Sequence, residues 1–133
     1  MNVLVVADDP NLASLWGGTL REGGHAVRVA DTEATAMALL RDVSHDLIVM
    51  DLCAKGRGKL DHAMQLARRN PSCKVVVVSG SAGYSREALH AMSPAIAATL
   101  RKPVDIEDLV EVCETVGREG RPALNASGAG FRQ

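Results

Sequence analysis

The chain has 133 residues, of which 47% are apolar but only 2% aromatic, and its formal net charge is −1. That length supports one domain with an aliphatic core. The scarcity of aromatics excludes a base-stacking surface, and the balanced charge excludes a bulk basic field for DNA, RNA or an anionic membrane. Cys53, Cys73 and Cys113 form neither a Cys-x-x-Cys pair nor a zinc-spaced cluster, so reduced thiols are expected. The apolar run at 3–7, stopped by Asp8 and Asp9, is too short for a signal-peptide core or a membrane span. A soluble cytoplasmic domain is the expectation.

That first run is a strand covered on both faces, because polar residues do not alternate with apolar ones. Leu12, Leu15, Trp16, Thr19 and Leu20 then recur at helical spacing, with Gly17 and Gly18 weakening the helix by about 1 kcal/mol each relative to Ala. A weaker strand spans 26–30. Asp31 and Thr32 are capping-type residues opening a second helix with Met37, Leu39, Leu40 and Val43. The apolar run at 47–50 is the third strand. A third helix carries His62, Ala63, Leu66 and Ala67 and stops before Asn70-Pro71. The fourth strand, at 75–78, precedes a helix opened by Ser85, Arg86 and Glu87, with Ala88, Leu89 and Met92 as its apolar side.

After a weak fifth strand at 97–100 comes the best-specified helix. Asp105 is its N-cap, Glu107 and Asp108 suit the dipole in its first turn, and Val104 and Leu109 have staple spacing. Ile106, Leu109, Val110, Cys113 and Val116 follow at helical period. From Gly117 the pattern gives way to small and polar residues. Five strand–helix alternations predict a doubly wound α/β domain over 1–117, with a five-stranded parallel sheet and helices on both faces, then a flexible tail over 118–133.

In such sheets, sites form beyond the carboxyl ends of the strands. The first strand ends in Asp8 and Asp9, the third in Asp51, the fourth in Ser79-Gly80 and the fifth in Lys102-Pro103; the second ends in nothing chemical. Taken singly, each residue has a plainer reading as a helix cap, a polar strand end, a turn or a loop. Together they place three carboxylates, a hydroxyl and an ammonium on one edge. Two like charges 4 Å apart cost about 4 kcal/mol at an effective dielectric of 20, which favours a bound cation, and hard oxygen donors suit Mg²⁺. An Asp beside such a metal, with Lys and Ser opposite, is a plausible nucleophile for an acyl phosphate. The four histidines, His25, His45, His62 and His90, are scattered and read as surface or boundary residues. Neither a dinucleotide loop nor a Walker spacing occurs around Gly56 to Lys59.

The motifs Val5-Val6-Ala7-Asp8-Asp9, Asp46-Leu47-Ile48-Val49-Met50-Asp51-Leu52, Val77-Val78-Ser79-Gly80 and Leu100-Arg101-Lys102-Pro103, in that order, resemble the receiver domain of bacterial two-component response regulators. The resemblance covers 2–116 and implies a flavodoxin-like fold of receiver topology. It also implies that Asp51 is the phosphoacceptor, that Asp8, Asp9 and Asp51 hold Mg²⁺ with the backbone carbonyl of Cys53, that Ser79 is the switch hydroxyl, and that Lys102 contacts the phosphoryl group. The bond before Pro103 is cis in the family. Two positions depart from its pattern. Cys53 to Lys59 form a basic, glycine-rich loop where the family has Met-Pro, and Thr99 stands where it has an aromatic switch residue, so signalling through the loop around Tyr84 comes into play.

The expectation is therefore a stand-alone receiver. It takes a phosphoryl group from a sensor histidine kinase or histidine phosphotransfer protein, catalyses no turnover of its own, and acts through an unknown downstream protein. Neither nucleic acid nor membrane is a direct partner. The alternative is a receiver-like interaction module that is never phosphorylated. An aspartyl-phosphate phosphatase of the haloacid-dehalogenase type would need a second Asp where Cys53 stands.

Overall fold

A computed structural model describes residues 1–52, 65, 68, 69, 72–79 and 96–119. Among these, the strands are β1 (Asn2–Val6), β2 (Ala26–Ala30), β3 (Leu47–Leu52), β4 (Lys74–Ser79) and β5 (Ile96–Arg101). The helices are α1 (Pro10–Glu22), α2 (Glu33–Asp42) and α3 (Ile106–Glu119). All strand pairs are parallel, in the order β2-β1-β3-β4-β5. The expected five-stranded doubly wound sheet is thus found. Of the third helix, only Gln65, Arg68 and Arg69 are described, as helical; the rest of it, the fourth helix and the tail from 120 onward lie outside the described residues.

Strand alternation sorts the core into two layers. Val3, Val5, Leu47, Val49, Val76 and Val78 face Ala13, Trp16 and Leu20 of α1 and Leu109, Cys113 and Val116 of α3. Leu4, Val6, Ile48, Met50, Val75 and Val77 face Ala36 and Leu40 of α2. Helices therefore cover both faces, which is why the strands read as unbroken apolar runs.

Local details differ from the sequence reading in four places. β1 starts and stops one residue earlier than the run at 3–7, because Ala7 continues the ladder only through its N–H, which donates to Ala30 O at 3.0 Å. Leu15 does not join the buried stripe of α1; it is 52% exposed, and Ala13, Trp16, Gly17 and Leu20 make that face. Gly17 lies on the packed face of α1, where a Cβ would meet Val29 Cγ2 at 3.4 Å and Val27 Cγ1 at 3.6 Å, ordinary contact distances. α3 continues through Arg118 and Glu119, past the point where the apolar pattern ends.

Capping follows expectation. Thr32 accepts from Thr35 N–H at 3.1 Å and caps α2; Asp105 accepts from Glu107 N–H at 3.0 Å at the start of α3. Val104 is half-buried against the core layer that holds Leu109, as a staple requires. Along the outer edge of β2, Arg21 Nη2 donates to Val27 O at 3.1 Å. At the starting end of the sheet, His25 Nε2 stands 3.0 Å from Glu114 Oε2, tying α3 to the α1–β2 connection.

Candidate functional site

The carboxyl ends of β1, β3, β4 and β5 gather the residues singled out by the strand-end argument. β1 is the switch point, with β2 on one side and β3 on the other, the place where sites form in such sheets. The chain leaves β1 through Ala7 into Asp8 and Asp9, both exposed. β1 pairs with β3 up to Val6↔Met50, so the next residue of β3, Asp51, stands beside the turn into Asp8. Asp51 continues the alternation of Leu47 and Val49 towards α1, and it is only 2% exposed.

Ser79 closes β4 and is also buried. The Lys102 N–H donates to Ser79 O at 2.9 Å, fastening the end of β5 to the end of β4. The following Lys102–Pro103 peptide is cis, as the sequence resemblance implied. From there Lys102, 30% exposed in its side chain, brings Nζ to 2.7 Å from Asp51 Oδ1. Among the described residues the Lys102 ammonium is the group that meets that oxygen, as an ion pair. Asp51 and Lys102 are thus brought together across the sheet, with Ser79 closing the strand that runs between β3 and β5.

Asp9 is placed differently from what a metal ligand alone would need. It is the N-cap of α1, and its Oδ1 accepts from Asn11 N–H at 2.9 Å, with Pro10 at the first helical position. The plainer reading of this residue is therefore realised, whatever else it does. Among the described residues no three His, Cys, Asp or Glu side chains stand together as a metal-binding group. The donor chemistry nevertheless fits a small hard cation. Asp8 and Asp9 are exposed carboxylates beyond the end of β1 and Asp51 is a buried one at the end of β3, hard oxygen donors of the kind such a cation takes, with Asp51 Oδ1 already paired to Lys102. Cys53, whose carbonyl was the fourth donor, lies outside the described residues, as do Gly80 and Tyr84. Thr99 is half-buried on β5 opposite Val77, a small β-branched side chain in the place of an aromatic ring.

One residue of this edge was overlooked in the sequence. β2 does not end in nothing chemical: it ends at Ala30, hydrogen-bonded to Ala7, and the exposed Asp31 follows directly. Reading Asp31 only as a capping-type residue hid it; the strand-end test applied evenly would have found it.

A parallel sheet of order 2-1-3-4-5 defines the flavodoxin-like class of doubly wound α/β domains, whose sites lie beyond the carboxyl ends of the strands. Within that class the family is specific: the family model for the response regulator receiver domain matches residues 3–114, and the chain belongs to this family. It is 28% identical over 116 residues to the nitrogen assimilation regulatory protein NtrX of Azorhizobium caulinodans, an alignment covering 85% of this chain. The match spans only 25% of that longer relative. Among solved structures, the CheY-like receiver domain protein of Methanospirillum hungatei superposes with a TM-score of 0.78 at 21% identity, covering 90% of this chain and 94% of that one. TrrA of Thermotoga maritima, solved in complex with Mg²⁺-BeF, superposes with a TM-score of 0.72 at 23% identity, covering 86% of this chain and 97% of the other. These two likenesses establish the fold. No described helix is long and apolar enough to cross a membrane.

Proposed function

We propose that Asp51 accepts a phosphoryl group from a phosphohistidine of a sensor kinase or phosphotransfer protein in the cytoplasm. The observation that carries this reading is the Asp51 carboxylate, 2% exposed at a strand end, with the Lys102 ammonium 2.7 Å away and Ser79 on the neighbouring strand. A carboxylate oxygen of Asp51 attacks phosphorus while the P–N bond of the phosphohistidine breaks, its electron pair returning to the imidazole nitrogen. The product is a mixed acyl-phosphate anhydride on Asp51. Lys102 then exchanges the carboxylate for a phosphoryl oxygen, and the Ser79 hydroxyl donates to another. Asp8, Asp9, Asp51 and the Cys53 carbonyl are the residues that would hold Mg²⁺, which supplies charge neutralisation on the phosphoryl oxygens when bound. Beyond slow gain and loss of this group the chain turns over no substrate; its effect comes from binding a downstream protein or passing the phosphoryl on.

A second reading, an interaction module that is never phosphorylated, draws on the same ion pair, since Lys102 already neutralises Asp51 without phosphate. Intact mass after incubation with acetyl phosphate and Mg²⁺ separates the two. The phosphoacceptor reading expects one added phosphoryl group in wild type and none in Asp51→Asn or when Mg²⁺ is chelated. No mass gain in wild type supports the module.

A further inference from the structure

The opposite end of the sheet, where the strands begin, holds a buried titratable side chain that phosphoryl transfer does not use. His45 lies between α2 and β3 and is 5% exposed. Its Nδ1 is 2.9 Å from Val43 O. A carbonyl can only accept, so Nδ1 carries the proton and Nε2 is the lone-pair nitrogen of the neutral ring. Nε2 is buried and meets no hydrogen-bond partner among the described residues. The neutral ring gives up only one weak acceptor bond there. A protonated ring would place an N–H and a positive charge where none of the described residues offers an acceptor.

The residue after His45 makes this position consequential. The Asp46 N–H donates to Asn2 O at 2.8 Å, Asp46 Oδ2 accepts from Asn2 N–H at 2.8 Å, and Asp46 O accepts from Lys74 N–H at 3.1 Å. Ser44 O also accepts from Asn2 Nδ2 at 3.0 Å. Residues 44–46 are therefore a clasp on the starts of β1, β3 and β4. We propose that neutral His45 is an acid-sensitive latch that seats this clasp, and that its protonation releases the starts of the three strands. Asp51 lies six residues further along, about 20 Å away at strand rise, so the phosphoacceptor end stays in place.

The electrostatics agree. Burial pushes the His45 imidazole below its ordinary 6.5, the Val43 carbonyl pulls the other way, Arg28 on β2 adds to the lowering and Asp46 opposes it. These are the charged groups acting on the ring from the described elements. With the closed-state pKa lowered, the open state binds more protons. Closure is fully favoured above about pH 6.5 and is lost as pH falls towards the closed-state value.

The test is NMR on the full ¹⁵N-labelled chain between pH 7.5 and 5.5. Two quantities are followed: the His45 ring titration, and amide-exchange protection of Asn2, Asp46 and Lys74 relative to Val76 in the sheet interior. The latch requires an Nδ1–H tautomer, a midpoint below 6.5, and relative protection falling by up to about tenfold per pH unit below pH 6.5. His45→Asn, which keeps a donor for Val43 O but cannot titrate, must show no such slope. A midpoint at or above 6.5, a flat protection profile in wild type, or the same slope in His45→Asn overturns the proposal. Should His45→Asn fail to fold, the wild-type midpoint and slope still decide it.

Discussion

Substituting Asp9 by Ala and by Ser separates its two roles. In the folded chain Asp9 Oδ1 accepts from Asn11 N–H at 2.9 Å, Pro10 occupies the first helical position, and no acidic residue stands in the first turn of α1 to serve as an alternative. Loss of such a cap costs about 1 kcal/mol, within a range of roughly 0.5–2. Against this, Asp9→Ala removes a negative charge beside Asp8. Both residues are exposed, so water and salt screen their repulsion to well under about 1 kcal/mol. The cap wins, and Asp9→Ala should be about 0.5–1 kcal/mol less stable than wild type, a fall in Tm of about 2–5 °C for a domain of this size. Asp9→Ser keeps the cap and loses the charge, so it should match or slightly exceed wild type. Both variants remove a carboxylate from the proposed Mg²⁺ set, so on that proposal both should lose Mg²⁺-dependent phosphorylation. Urea unfolding in EDTA gives the stabilities. Trp16, the single tryptophan and fully buried on α1 itself, supplies the fluorescence signal. Equal stability of Asp9→Ala and Asp9→Ser would refute the capping argument; normal phosphorylation of Asp9→Ser would remove Asp9 from the metal site.

Three further outcomes are expected. Gly18→Ala, whose new Cβ meets nothing within 4 Å, should stabilise α1 by up to about 1 kcal/mol in the same urea assay, and Gly17→Ala, whose Cβ would meet Val29 and Val27 at ordinary contact distance, should gain a similar amount. Lys102→Met leaves the Asp51 carboxylate buried without its ion-pair partner and should lower stability by about 1–3 kcal/mol, while Asp51→Asn combined with it should recover part of that loss, as a double-mutant cycle would show. Burial pushes the thiols of Cys73 and Cys113 up to about 12, so in Cys53→Ser both should react with a disulfide reagent at pH 8 roughly a thousandfold more slowly than after unfolding in urea. Fast labelling of the native variant would contradict that.

The fold was legible because its strands are covered on both faces. Val3 to Val6, Leu47 to Met50 and Val75 to Val78 have no polar interruptions, and parallel pairing under helices is the arrangement that calls for this. The candidate site was legible for a related reason: the first polar residue after each buried run has to lie at the sheet edge, which located Asp8, Asp51 and Ser79, whereas at the end of the half-buried β5 the exposed Arg101 comes first and Lys102 second. Side-chain commitments were harder to read. Asp9 serves as a cap because Pro10 fixes where α1 begins, and a sequence offers Asp8 and Asp9 as equals. Leu15 fits the helical period but falls on the outer face, because the arc that packs runs through Ala13, Trp16, Gly17 and Leu20. His45 looked like a boundary residue because an imidazole with one carbonyl partner can be buried at little cost, and that partner, Val43 O, is supplied by a turn no periodicity announces.

The contact between Arg21 and Val27 bears on how this chain behaves among its own kind. Ala26 and Ala30 direct their backbone groups to β1, as the bonds to Met1 O and from Ala7 N–H show, so the intervening Val27 and Val29 turn theirs away from the sheet. β2 is thus an open border, a template on which a strand from another copy could grow. Arg21 Nη2 already occupies the Val27 carbonyl and lays a guanidinium along that border. An incoming strand would have to dislodge the guanidinium and would gain only the groups of Val27 and Val29 in return. The side chain that tethers α1 to the sheet is therefore also the one an added strand would have to displace.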